Sequence, residues 1–259
     1  MRIVIKIGTS TLSYPTGHPN IRHIESICKV VSDLKNAGYE VILVSSGAVS
    51  MGRGKAGVAE RPTDLPLKQA LAAVGQCELM YTYDKYFGEY NHTVAQLLLT
   101  AQNFTDARQH ENLCATFNQL LKMRVIPIVN ENDTVATQEL KIGDNDTLAA
   151  RVAVSVKAEL LVLLSDIDGL YTADPNRDPD ARRIDRVNAI TPEIEALAGG
   201  SNSTVGTGGM VTKLEAAKIA VAAGCDMVIA NGRDPAVLYD VLEGKAVGTR
   251  FIGGTHDDA

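Results

Sequence analysis

Short, nearly unbroken aliphatic runs recur along this chain, and helical patterns separate them. RIVIKI (Arg2–Ile7), EVILV (40–44), VIPIV (125–129), LLVLL (160–164) and MVIA (227–230) are of this kind. A strand that is apolar on both faces has to be covered on both faces. Such runs therefore belong to a mostly parallel sheet packed between layers of helices. The periodicity predicts helices over 21–37, 66–88, 109–122, 144–157, 209–223 and 235–243, with Gly38 and Gly224 ending two of them. Residues 93–99 read as extended, 134–141 alternate like a hairpin, and a last short strand ends near Ile252. The predicted class is α/β, a three-layer α/β/α sandwich with a mostly parallel central sheet. Ligands in such sheets bind beyond the carboxyl ends of the strands, so the polar clusters that follow the strands are the places to search. The stretch 172–183, TADPNRDPDARR, is the most loop-like.

Composition removes several function classes. The formal net charge is −6, and a mildly acidic chain lacks the basic face that non-specific nucleic-acid binding needs. Cys28, Cys77, Cys114 and Cys225 form no CxxC pair and have no histidine cluster beside them, so neither zinc nor a disulfide framework is expected, and no residue is nominated as a metal ligand. No apolar run approaches the ~18 residues of a membrane helix. The opening MRIVIKIGTS turns polar too early for a signal peptide. The expected location is the cytoplasm.

Two familiar nucleotide motifs mislead. No GxxxxGK[ST] occurs. A GxGxxG does occur at Gly52, Gly54 and Gly57, but it lies beyond its strand and ERPTDLP follows it, so it is read as a turn. Five other segments carry more. In TGGMVTK (Thr207, Gly208, Gly209, Met210, Val211, Thr212, Lys213) the glycines admit a close ligand, and the helix that follows offers unpaired N–H groups to an anion. Lys213 sits there against the helix dipole, which makes sense if it meets a phosphate; a solvated lysine in a glycine-rich loop is the alternative. Lys6 interrupts the apolar run IVIKIG, costly in a central strand unless paired or used, though an edge strand would leave it in water. VSSGAVSMG places Ser45, Ser46 and Gly47 after a strand and at the opening of a helix, suited to a carboxylate or phosphate, or to an ordinary cap. No GxSxG elbow supports a serine nucleophile. Two acidic blocks, VNENDTVAT (Glu131, Asn132, Asp133) and IGDNDTLAA (Asp144, Asn145, Asp146), flank the predicted hairpin. They suit capping, an amino group, lysine orientation or Mg²⁺. Paired-carboxylate sugar hydrolysis fits poorly in a chain without tryptophan. Finally, LLVLLSDIDGLY emits Ser165 and Asp166 from a buried strand, where an adenosine would lie or a plain turn would serve.

Taken in order, KIGTS, VSSGAVSMG, KQALAAVGQ (68–76), VNENDTVAT, IGDNDTLAA, SDIDGLYTADP and GTGGMVTK resemble the amino acid kinase family from about Arg2 to Phe251. KQALAAVGQ and NENDTVAT are similar to its glutamate-phosphorylating branch. The resemblance implies ATP and Mg²⁺ as cofactors and transfer of the γ-phosphoryl group to the γ-carboxylate of L-glutamate, the entry to proline biosynthesis. It implies that Lys6 and Lys213 contact phosphates, that Asp146 orients them, and that Ser46, Asp133 and Asn145 bind glutamate. Ser165 and Asp166, with residues 207–213, would line the nucleotide site; relatives often carry threonine where this chain has Ser165. Residues 1–253 are expected to form one kinase domain with 254–259 as a tail, in the form without the C-terminal PUA domain that many bacterial relatives carry. A homo-oligomer and feedback by proline are further expectations. Rival readings are a family member acting on aspartate, acetylglutamate, carbamate or UMP, and a non-catalytic amino-acid or nucleotide sensor.

Overall fold

The computed structural model describes residues 1–136, 144–175, 177–199 and 209–254. In chain order, β1 (Arg2–Ile7) is followed by α1 (Thr9–Leu12), α2 (Ile21–Asn36), β2 (Glu40–Ser45), α3 (Ala48–Ala56) and α4 (Leu65–Glu89). Then come β3 (Val94–Leu99), α5 (Gln102–Thr105), α6 (Ala107–Lys122), β4 (Ile126–Glu131), α7 (Asn145–Ser155) and β5 (Leu160–Ser165). The last are β6 (Arg186–Val187), α8 (Pro192–Gly199), α9 (Met210–Ala222), β7 (Asp226–Asn231), α10 (Val237–Leu242) and β8 (Thr249–Phe251). Strands interleave with helices, and β2 with β4, β3 with β4, β5 with β7 and β6 with β8 all pair in parallel, as the aliphatic runs predict. The chain divides into two compact units, Ile7–Ile142 and Met1–Lys6 with Gly143–Ala259.

In the unit Ile7–Ile142 the strand order is β3-β4-β2, all parallel. Helix α2 buries Ile24, Ile27, Cys28, Val31 and Leu34, the i, i+3, i+4, i+7 stripe of a helix laid on a core. Each such aliphatic burial contributes roughly 1.5–3 kcal/mol. Asn20 caps it by accepting from the His23 N–H at 3.3 Å. Asp106 caps α6 through the Gln109 N–H at 2.8 Å, which starts that helix at Ala107, two residues before the predicted start. The GxGxxG is not a turn. Gly52 and Gly54 lie inside α3, and only Gly57 leaves it, as a left-handed C-cap at φ +68°. The glycines let α3 and α4 cross in near backbone contact. A Cβ on Gly52 would meet the Leu71 carbonyl oxygen at 1.9 Å, and one on Gly75 the Ala48 carbonyl oxygen at 1.7 Å.

In the other unit the order is β1-β5-β7-β8-β6. All six residues of β5 are buried, and it pairs in parallel with β7 from Leu160↔Asp226 to Ser165↔Asn231. The exception to parallel pairing is β7 with β8. Asp226, buried at the start of β7, accepts from the Gly253 N–H and from Arg250. Strand β6 and helix α8 have no counterpart among the predicted elements. Of the predicted hairpin, 134 and 135 belong to a turn that begins at 133, 136 is irregular, and 137–141 lie outside the described residues. No described helix is long and apolar enough to cross a membrane.

Candidate active site

Three elements of the second unit bring charged side chains to one point. Strand β1 supplies Lys6, which is buried rather than solvated as an edge position would have left it. Helix α7 supplies Asp146 from its first turn. Asp144 forms the cap of that helix, accepting from the Asp146 and Thr147 N–H groups at 2.8 and 2.9 Å, so one acidic residue of the block is a cap and another is not. Helix α9 supplies Lys213, and Gly209, in extended conformation at its N-cap, makes no side-chain capping bond.

Asp146 is 1% exposed and lies at the centre. Lys6 Nζ is 2.7 Å from its Oδ1, and Lys213 Nζ is 3.1 Å from its Oδ2. Thr212 Oγ1 also lies 3.1 Å from Oδ2 and donates to it or to the Gly209 carbonyl at 2.9 Å. Burial alone would push the Asp146 carboxyl up; the ammonium groups of Lys6 and Lys213 outweigh that and hold it below the usual carboxylate range. Two ammonium groups on one carboxylate leave the cluster with one formal positive charge. Buried charge of that kind is stabilised by an anionic partner. Both oxygens of Asp146 face lysines, so its chemistry here is to fix ammonium groups.

Beside this cluster, β5 ends in Ser165, whose Oγ donates to Asp166 Oδ1 at 3.2 Å and whose carbonyl accepts the Gly232 N–H at 2.7 Å. The neighbouring strand end adds polar groups that the sequence reading did not nominate. The Asn231 amide donates to Asp168, and its Oδ1 accepts the Arg233 N–H at 2.9 Å. The polar run NGRD directly after a buried strand was the available signal. Met210, Val211 and Thr212 form the first turn of α9 ahead of Lys213, whereas Thr207 and Gly208 lie outside the described residues. Asn145 is the first residue of α7.

Ser46 and Asp133 belong to the unit Ile7–Ile142. Ser46 follows β2, donating its N–H to the Ile7 carbonyl at 3.2 Å, and Gly47 takes φ +98° to start α3, a conformation open mainly to glycine. Asp133 lines a small recess, open to solvent, together with Ala48, Ala72, Gln76, Leu98, Glu131, Asn132 and Thr134. No described group of three or more His, Cys, Asp or Glu is arranged to hold a metal ion. The four cysteines are free thiols. Burial, with Asp226 beside it, pushes the Cys225 thiol up to about 12, which leaves it inert at neutral pH.

Residues 1–231 match the family model described as the amino acid kinase family. The chain is 51% identical to glutamate 5-kinase of Clostridium perfringens, over 97% of this chain and 95% of that protein. It is 53% identical to glutamate 5-kinase of Listeria innocua over 96% of this chain and 92% of the relative. Against the same enzyme of Carboxydothermus hydrogenoformans the identity is 55%, over 96% of this chain and 67% of that longer protein. Among solved structures, isopentenyl phosphate kinase of T. acidophilum superposes with a TM-score of 0.67 at 17% identity, covering 97% of this chain and all of that one. Carbamate kinase of Giardia lamblia gives 0.65 at 21% identity, covering 97% and 98%. At these identities the likeness is one of fold.

Proposed function

The chain belongs to the amino acid kinase family, and from that premise we propose that it phosphorylates the γ-carboxylate of L-glutamate with ATP, giving L-glutamyl 5-phosphate for proline biosynthesis. The observation that carries the phosphoryl-transfer part is the buried cluster of Lys6, Asp146 and Lys213. The similarity to glutamate 5-kinases over nearly the whole chain supports the choice of acceptor.

In this reading MgATP is the donor substrate, and its metal ion would lower the charge on the phosphates. An oxygen of the γ-carboxylate attacks the γ-phosphorus, the bond from phosphorus to the β–γ bridging oxygen breaks, and ADP leaves. The carboxylate is already an anion at neutral pH, so no general base is needed, and the work left is positioning and charge stabilisation. Lys6 and Lys213 supply charge to the phosphoryl oxygens, with Asp146 holding both ammonium groups in place. Gly209 and the first turn Met210–Lys213 bring a helix start to the phosphates, Thr207 and Gly208 belong to the same nucleotide motif, and Ser165 and Asp166 hold the nucleoside end. Ser46, Asp133 and Asn145 bind glutamate. We read residues 1–253 as one kinase domain acting in the cytoplasm as a homo-oligomer.

The test is a substrate panel with hydroxylamine, which captures an acyl phosphate as a hydroxamate. Glutamate should yield hydroxamate in step with ADP, while aspartate and acetylglutamate yield little and carbamate and UMP draw no ADP. A different preferred acceptor changes the substrate, and no ADP with any acceptor removes the catalytic reading.

A further inference from the structure

The recess in the unit Ile7–Ile142 contains a donor with nothing to donate to. Gln76, on α4, is 7% exposed, and its amide orientation follows from a short relay. The Glu131 N–H donates to Asn130 Oδ1 at 2.9 Å. That fixes the other end of the Asn130 amide as Nδ2, which can only donate, and it meets Gln76 Oε1 at 3.0 Å. The Gln76 amide nitrogen is therefore turned away from Asn130. It is shut off from solvent and has no hydrogen-bond partner. Buried donors are rarely left so, because the water they gave up is not replaced.

The surroundings state what would satisfy it. Ala48, in the same recess, is the first residue of α3, whose Gly47 N-cap makes no side-chain capping bond. The first-turn N–H groups of that nine-residue helix favour an anion. Glu131 and Asp133, also lining the recess, favour a cation. Donors for an anion and carboxylates for a cation in one small recess match an α-amino acid head group, with its carboxylate and ammonium on one carbon.

We propose that this recess takes the α-carboxylate and α-ammonium of the amino-acid substrate, and that the Gln76 amide nitrogen donates to the α-carboxylate. This rests on the glutamate reading above and adds to it a specificity-determining residue. Gln76 rejects acceptors that carry a side-chain carboxylate and an amine but no α-carboxylate, because such ligands leave its donor unsatisfied.

The informative variant is Gln76→Glu. It keeps an oxygen for Asn130 and exchanges the amide nitrogen for an oxygen that repels a carboxylate. Gln76→Met removes the donor without adding charge. Glutamate binding is measured by calorimetry and as KM, beside 4-aminobutyrate, which has the carboxylate and amine of glutamate without the α-carboxylate. Both variants should weaken glutamate at least about tenfold, the worth of one hydrogen bond to a charged group. KM for ATP and the affinity for 4-aminobutyrate should not weaken. Unchanged ATP binding also reports that the variants are folded. Equal weakening of glutamate and 4-aminobutyrate, or undiminished glutamate binding, overturns the role of Gln76 alone. Wild-type protein that binds no glutamate overturns the substrate reading, and this inference with it.

Discussion

Lys6 and Lys213 come from opposite ends of the chain and meet on the two oxygens of Asp146. The motifs nominated all three residues, and the resemblance implied that Asp146 orients the lysines; the residues alone did not link them, because nothing local joins a strand at the N-terminus to helices that start at 145 and 210. Thr212 was read as a nucleotide contact, and its hydroxyl also reaches Asp146. Removing one preorganised charge from such a site costs about 10²–10³ in rate. Lys213→Ala is therefore expected to lower kcat by about 10² at saturating MgATP with the fold retained, because Lys6 still compensates Asp146; steady-state kinetics and circular dichroism check it. Asp146→Asn leaves two buried ammonium groups facing a neutral amide and should cost about 3 kcal/mol at pH 7. The sign with pH follows from the depressed carboxyl. Its stabilisation is fully present above the unfolded value of about 3.9 and is lost as pH falls through the lower folded value. Urea unfolding should show a wild-type advantage that is constant from pH 7 to 5 and shrinks below about pH 4. An advantage that grows on acidification contradicts the arrangement.

Elements were legible where they are long and carry a clear period, as in α2, α6 and β5, and less so where three-dimensional packing decides. Strand β6 has two residues and no period to read. Helix α8 was missed although Thr191, Pro192 and Glu193 at its start are an ordinary opening signature. Gly52 and Gly54 looked like turn residues because helix propensity disfavours glycine. Here the close approach of α3 and α4 outweighs propensity. Gly75→Ala would put a Cβ 1.7 Å from the Ala48 carbonyl oxygen, and the overpacking should cost about 3 kcal/mol in urea unfolding. Gly88, near the end of the same helix, has nothing within 4 Å of its would-be Cβ. Gly88→Ala should stabilise by about 0.5 kcal/mol. Similar gains at both positions would mean that propensity, not contact, governs them.

For the whole molecule, the aliphatic runs made the α/β class legible, while the donor in the recess was not, because it depends on an amide orientation set by a neighbouring strand. Under the proposed function, proline, which carries an α-carboxylate and an α-nitrogen as glutamate does, would compete with glutamate for the groups that hold them. Proline is expected to raise the apparent KM for glutamate and leave kcat unchanged. Initial rates over a glutamate titration at fixed proline concentrations check this, and a fall in maximal rate that glutamate cannot restore rules out the shared pocket. The central claim is that a γ-carboxylate oxygen of glutamate attacks the γ-phosphorus of ATP, and oxygen labelling tests it most directly. Glutamate carrying ¹⁸O in both γ-carboxylate positions is incubated with enzyme, unlabelled MgATP and hydroxylamine, and the released phosphate is analysed by mass spectrometry. The account predicts one ¹⁸O in each phosphate, carried over as the oxygen that bridged carbon and phosphorus. Phosphate without label, formed by water attacking ATP, would contradict it.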